Sequence, residues 1–258
     1  MKTLSFIKRK IQFLKDAKTT ARFPRHSDFY VVDFPKSGVT WLSTILANIS
    51  LIESNRKEIA SFSQAHLFVP DIHVSRDVSD VAYDRPPVRF IKSHAMFNRN
   101  YIFVIYLVRH PLNVMKSYYN FSREIQGDTF GNFHEFCLNP KFGISAWKFH
   151  VNSWLRGETI NQRLHLIRYE DMVSNTYDEL ERLSVNFGWN FSSENIEKAI
   201  SFSSIQKMTE SERLYKLKNP RYNITFVKNN VDLEITDETL EFIRSSCVKE
   251  LGMLDYEV

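Results

Sequence analysis

Cysteine is nearly absent: Cys137 and Cys247 are the only two in 258 residues. Two thiols cannot build a disulfide framework, and neither has metal-ligand spacing around it, so both read as reduced structural residues of a cytoplasmic protein. Long apolar runs are missing too. No stretch approaches the roughly 20 residues of a membrane span, and "MKTLSFIKRKIQFLKDAK" at the N-terminus is broken by charge where a secretory signal needs a continuous apolar core. Neither sign of charge dominates. Thirty-four basic against 30 acidic side chains leave +4, which suits a bound anion but falls short of a dedicated nucleic-acid binder. Repeats, low-complexity tracts and linkers are absent, and 43% hydrophobic content supplies a sizeable core. A single domain over 1–258 is expected, with 1–27 as an N-terminal amphipathic helical segment and 28–258 as the core.

In that segment Leu4, Ile7, Ile11 and Leu14 share one helical face, with lysines and Arg9 around them. Such a face fits a helix lying on the domain or a membrane-surface helix. Beyond it, β-rich runs alternate with helical patterns. "DFYVVDF" (28–34), "VRFIKSH" (88–94), "YIFVIYLVR" (101–109) and "LHLIRY" (164–169) are near-continuous apolar runs of the kind buried on both faces of a parallel sheet. The fold class is therefore α/β, a central parallel sheet flanked by helices. Helices are predicted from Thr40 through Ile49, over 112–121, over 175–187 ending at Gly188, and over 237–251 ending at Gly252.

Two turns hold the chemistry. In "VVDFPKSGVTW" a strand ends, a tight turn follows and a helix begins. Unpaired N–H groups at the helix start, together with its dipole, favour a phosphate-like anion. Lys36 adds a full charge, Ser37 and Thr40 add hydroxyls, and Gly38 lets the backbone approach a ligand. The spacing is not the G-x-x-x-x-G-K-[ST] of nucleotide triphosphatases. A plain βα turn with a solvated lysine fits the same residues. In "YLVRHPLNVMKSYYNF" Arg109 closes a strand and Ser117 lies two turns into the next helix, a fork of donors and a hydroxyl for a second phosphate. The carboxyl end of a parallel strand is where open α/β sheets bind ligands.

These residues carry a resemblance. Lys36-Ser37-Gly38-x-Thr40-Trp41, Arg109 through Ser117 with Tyr118-Tyr119-x-Phe121, and Arg168-Tyr169-Glu170-Asp171-Met172 resemble the cofactor signatures of sulfotransferases that use 3′-phosphoadenosine 5′-phosphosulfate (PAPS). The similarity runs from about Asp28 to Phe226 and is closest in flavour to a bacterial branch related to cytosolic sulfotransferases. It implies a P-loop-like α/β domain, PAPS as donor, 3′-phosphoadenosine 5′-phosphate (PAP) as product, and no metal. It also implies that Lys36, Ser37, Gly38, Val39, Thr40 and Trp41 hold the 5′-phosphosulfate, with the Trp41 ring near the adenine. Arg109 and Ser117 would take the 3′-phosphate, Tyr169 the adenine edge, and Ser201-Phe202 would pack against the base. Lys228, in "ITFVKNN", stands where the family carries an arginine clamp; it keeps the charge and loses the bidentate fork. Val39 replaces a residue that is polar in many relatives. The glycine-and-tryptophan stretch that follows the clamp, and the short C-terminal dimerisation motif, have no match here.

The same resemblance makes His94, in "RFIKSHAMF", the general base, since a neutral hydroxyl is a poor nucleophile and an imidazole can take its proton. Sulfuryl transfer is an in-line displacement with charge building on the leaving oxygen, where Lys36 would act. Lys92, two residues before His94 on the same strand face, would add positive potential. The acceptor is expected to be a small organic molecule. Phe97, Phe121, Trp147 and His150 are candidate pocket residues, each equally at home in a core, and the glycine-bearing segment 122–146 is expected to form a mobile rim. A saccharide acceptor, a nucleotide-dependent kinase and a PAP-binding protein without turnover are the alternatives.

Overall fold

A computed structural model describes residues 19–74, 89–126, 130–157, 163–220, 225 and 233–257. The expected N-terminal amphipathic helix and Lys228 lie outside them.

Four strands, β1 (Asp28–Asp33), β2 (Arg89–Ser93), β3 (Phe103–Val108) and β4 (Arg163–Arg168), form one sheet in the order β2-β1-β3-β4. All neighbours are parallel. The four expected runs are the four strands, displaced by one or two residues at their ends.

Alternation along the strands explains the layers. Tyr30, Val32, Ile91, Val104, Tyr106 and Val108 face one core, whereas Phe29, Val31, Phe90, Ile105 and Leu107 face another. Side chains on a strand point to opposite faces in turn, so continuous apolar runs require cover on both. The second core is closed by α1 (Val39–Glu53), which buries Leu42, Ile45, Leu46 and Ile49, together with Leu180 and Leu183 of α7 (Thr176–Phe187) and Ile196 and Ala199 of α8 (Ser193–Phe202). The first core is closed by α3 (Pro111–Gln126), α4 (Phe133–Leu138), α5 (Ile144–Gly157) and α10 (Asp237–Met253). Three short or peripheral helices complete the set: α2 (Ala65–Phe68), α6 (Tyr169–Ser174) and α9 (Ile205–Lys218).

Two expectations need correction. The last helix does not stop at Gly252 but runs to Met253, with the Leu254 amide donating to the Glu250 carbonyl. Gly188 does close its helix, in the left-handed region at φ 69. The described parts of 122–146, expected as a mobile rim of weak periodicity, include helix: α3 continues to Gln126, and α4 buries Phe133, Phe136 and Cys137 in the core. The Asn132 side chain caps α4 by accepting from the Glu135 amide at 2.9 Å.

The order 2-1-3-4 has a functional consequence. The chain leaves β1 toward β2 on one side and returns to β3 on the other, which opens a crevice beyond the carboxyl ends of β1 and β3. Asp33 pairs in register with Leu107, Val32 with Ser93, and Val108 with Arg168. The turn after β1, His94 after β2, Arg109 after β3 and Tyr169 after β4 therefore share one edge.

Candidate functional site

After Asp33 the chain makes a tight turn before α1. The Ser37 amide and hydroxyl both donate to the Phe34 carbonyl, at 3.2 and 2.8 Å. The Ser37 side chain is thus turned inward and closes the turn. Lys36 adopts φ 77, a left-handed conformation rare outside glycine, and Gly38 follows at φ 105 as the residue before the helix. The amides of Trp41 and Leu42 take up the Gly38 carbonyl; those nearer the turn have no acceptor within the helix and face outward with its positive end. Val39 is buried on the helix side, so its side chain is part of the core.

Tyr169 and Arg109 lie over this turn. A Cβ on Gly38 would overlap the Tyr169 ring. The Arg109 guanidinium lies over the Tyr169 ring, 4.3 Å from its centroid, and its Nη1 donates to the Lys36 carbonyl at 3.4 Å. Arg109 Nε is buried and has no acceptor among the described residues, which leaves a guanidinium donor for an anion. Ser117 is half-buried on α3. The Lys36 ammonium rests 4.2 Å from the Phe121 ring centroid.

Trp41 is fixed from behind. Its indole N–H donates 2.9 Å to the Ser203 carbonyl, and its ring meets Tyr169 edge-on at 6.1 Å. The Ser203 hydroxyl in turn accepts from Asn48 at 3.0 Å. Ser201 is exposed at the end of α8, and Phe202 carries Lys207 5.0 Å above its ring.

On the far side of β1 sits His94. Its Nδ1 lies 2.7 Å from Asp33 Oδ1 and 3.3 Å from the Asp33 carbonyl oxygen, while Nε2 lies 3.9 Å from Asp71 Oδ2. Lys92, on β2, and His94, just past its end, thus both approach Asp71 Oδ2, with Lys92 at 3.2 Å. Burial works against ionising Asp71, but Lys92, His94 and the His73 amide outweigh it and hold the carboxyl below its usual range. The His94 amide donates to His73 Nε2 at 3.0 Å. Thr40, Ser43, Asp71, Lys92 and Tyr215 line a cavity of about 240 Å³ beside these groups.

The pocket candidates divide. Phe121 meets Lys36, and the Phe97 ring stands 5.6 Å from Trp154. Trp147 is fully buried in the first core. His150 binds with both ring nitrogens, to the Tyr106 hydroxyl at 3.0 Å and the Ala95 carbonyl at 3.1 Å. Burial, with the neighbouring His94 adding to it, pulls His150 down to about 3, so it stays neutral and braces the residue after His94. Sequence reasoning missed Asp33, Asp71 and His73. For Asp33 a signal existed: two aspartates in a strand buried throughout each need a partner, and Asp28 has one in Arg89.

Among the described residues no helix is long and apolar enough to cross a membrane, and no group of side chains has metal-ligand clustering. Comparison with known proteins matches residues 26–237 to the profile of a sulfotransferase domain. Sulfotransferase 1E1 of Bos taurus is 28% identical over 221 residues, 80% of this chain and 72% of that protein. Sulfotransferase 1A1 of Mus musculus is 25% identical over 237 residues, 86% and 76% of the two chains. Among solved structures, retinol dehydratase in a complex with retinol and PAP superposes with a TM-score of 0.66 at 18% identity, over 95% of this chain and 87% of that one. Mouse sulfotransferase SULT7A1 complexed with PAP superposes at 0.63 with 18% identity, over 95% and 90%. At such identity the superpositions speak to the fold.

Proposed function

The chain belongs to the sulfotransferase domain family, whose reaction moves a sulfuryl group from PAPS to an acceptor, and we propose that the edge described above performs it on a hydroxyl or amine of a small organic molecule. The observation that carries the proposal is the buried Arg109 Nε, which has no acceptor among the described residues, beside a turn whose Lys36 and outward amides supply more positive potential. An anion with two separated phosphate groups fits that arrangement.

In this reading the turn from Lys36 to Trp41 holds the 5′ end, with Ser37 and Val39 contributing backbone shape, and Thr40 a hydroxyl. Arg109 and Ser117 hold the 3′-phosphate, joined by Lys228. Trp41, Tyr169 and the Ser201-Phe202 pair frame the base. When bound, the donor supplies a sulfuryl group on a phosphate leaving group. Lys36 stabilises the charge that collects on the leaving oxygen, and Lys92 adds positive potential near the sulfuryl group. His94 Nε2 takes the acceptor's proton. Phe97 and Phe121 line the acceptor side, with Trp147 and His150 bracing the wall.

The reading treats 1–258 as one domain acting in the cytoplasm without a metal or a nucleic-acid partner. Both cysteines are free and buried, which suits a reducing compartment. The test has two arms. Thermal shift should be larger with PAP than with ATP plus Mg²⁺; preference for ATP would point to a kinase. Labelled PAPS offered with a panel of phenols, alkanols, amines and saccharides should yield a labelled product. PAP binding without transfer to any of them would make the chain a binding protein.

A further inference from the structure

Asp33 has no role in the reading so far, and its surroundings are unusual. Its side chain is 0% exposed, and neither carboxylate oxygen has a hydrogen bond of ordinary geometry among the described residues. An ionised carboxylate in that position costs several kcal/mol unless a partner offsets it. The neighbouring Tyr106 hydroxyl is committed to His150. Among the described residues, the partner that remains in reach is His94 Nδ1, at 2.7 Å.

We propose that Asp33 is the positioning residue for His94, its carboxylate and main-chain carbonyl keeping the proton on Nδ1 so that Nε2 presents its lone pair to the acceptor. This rests on the reading of His94 as the base. Two acceptors face Nδ1: Oδ1 at 2.7 Å and the carbonyl oxygen at 3.3 Å. A free imidazole carries either tautomer, and the hydrogen bond made by one nitrogen decides which lone pair the other offers. The parallel register enforces the meeting. Val32 pairs with Ser93, so Asp33, the last residue of β1, and His94, the first residue after β2, are brought side by side.

The proton balance follows from this arrangement. As the acceptor oxygen attacks, its O–H bond breaks and the proton goes to Nε2, while the oxygen's electron pair forms the new bond to sulfur. The old sulfur–oxygen bond breaks with its pair going to the phosphate oxygen. The imidazolium so formed sits against the Asp33 carboxylate, which offsets its charge, and the proton passes to solvent from Nε2 afterwards. Asp71 on the Nε2 side, 3.9 Å away and shared with Lys92, does not compete for Nδ1.

Long-range ¹H–¹⁵N spectra of the full chain read the tautomer directly, with the His94 signal assigned by its loss in His94→Asn. The proton is expected on Nδ1; a proton on Nε2 in the wild-type protein overturns the proposal, whatever the variants do. In Asp33→Asn, which keeps the side-chain volume, kcat toward the best acceptor of the panel should fall on the order of 100-fold or more, with KM for PAPS and PAP affinity within about twofold of wild type. Undiminished kcat in that variant also overturns it. Should Asp33→Asn not fold, the wild-type tautomer decides alone. Failure of the base assignment looks different: His94→Asn then turns over normally, while the tautomer still reports on the pair.

Discussion

The ring of Tyr169 occupies the space in which a side chain at Gly38 would begin. Gly38→Ala meets two penalties there, a φ of 105 and overlap with the ring, of about 1–3 kcal/mol for the backbone alone. The turn that presents Lys36 must shift to relieve them. The expected outcome is a folded protein with lower Tm whose thermal response to PAP is lost; a PAP response equal to wild type would show that this turn does not bind the nucleotide.

Arg109 should separate PAP from nucleotides that lack the 3′-phosphate. In Arg109→Met the PAP affinity should fall about 100-fold, the range of a lost charge-assisted fork, while adenosine 5′-monophosphate binding changes little. Calorimetric titration with both ligands measures the difference. Equal losses for the two would place Arg109 elsewhere than at a 3′-phosphate.

The ion pair of Arg89 and Asp28 is structural. Both side chains are 2% exposed, the guanidinium meets the two carboxylate oxygens at 2.8 Å each, and it also donates to the Phe23 carbonyl. Removing one partner leaves a buried charge uncompensated, so Arg89→Met should cost about 3–5 kcal/mol in denaturant unfolding. A cost under about 1 kcal/mol would mean that water reaches Asp28.

His150 and His165 set part of the acid stability. Burial holds His150 at about 3, and burial together with Arg182 holds His165 at about 4, both below an unfolded value of 6.5. The unfolded chain therefore binds protons that the fold refuses. Stability from this source is complete above pH 6.5 and is lost as pH falls from there through the folded values, by about 1.4 kcal/mol per pH unit for each proton. His165→Asn should flatten that slope by one proton between pH 6 and 4.5 without changing stability at pH 8. An unchanged slope would contradict the placement of His165.

The strands were legible because each is an apolar run long enough to need cover on both faces, and the Lys36, Arg109 and Tyr169 segments because each follows such a run. The helix α4 was not. Six residues give too little periodicity, although Asn132 three positions before Glu135 was its cap signal. Trp147 and His150 could not be assigned to core or pocket from residue type, since aromatic and imidazole groups serve both. Asp33 was visible as a charge in a buried strand, but its partner lies 61 residues away in sequence, and only the strand order brings the two together.

The most direct measurement is the rate of labelled sulfuryl transfer from saturating PAPS to the best acceptor of the panel, by wild type and by His94→Asn, with PAP affinity measured alongside. The account predicts that the variant binds PAP as wild type does and transfers at least about 100-fold more slowly. Transfer at the wild-type rate by His94→Asn would contradict it.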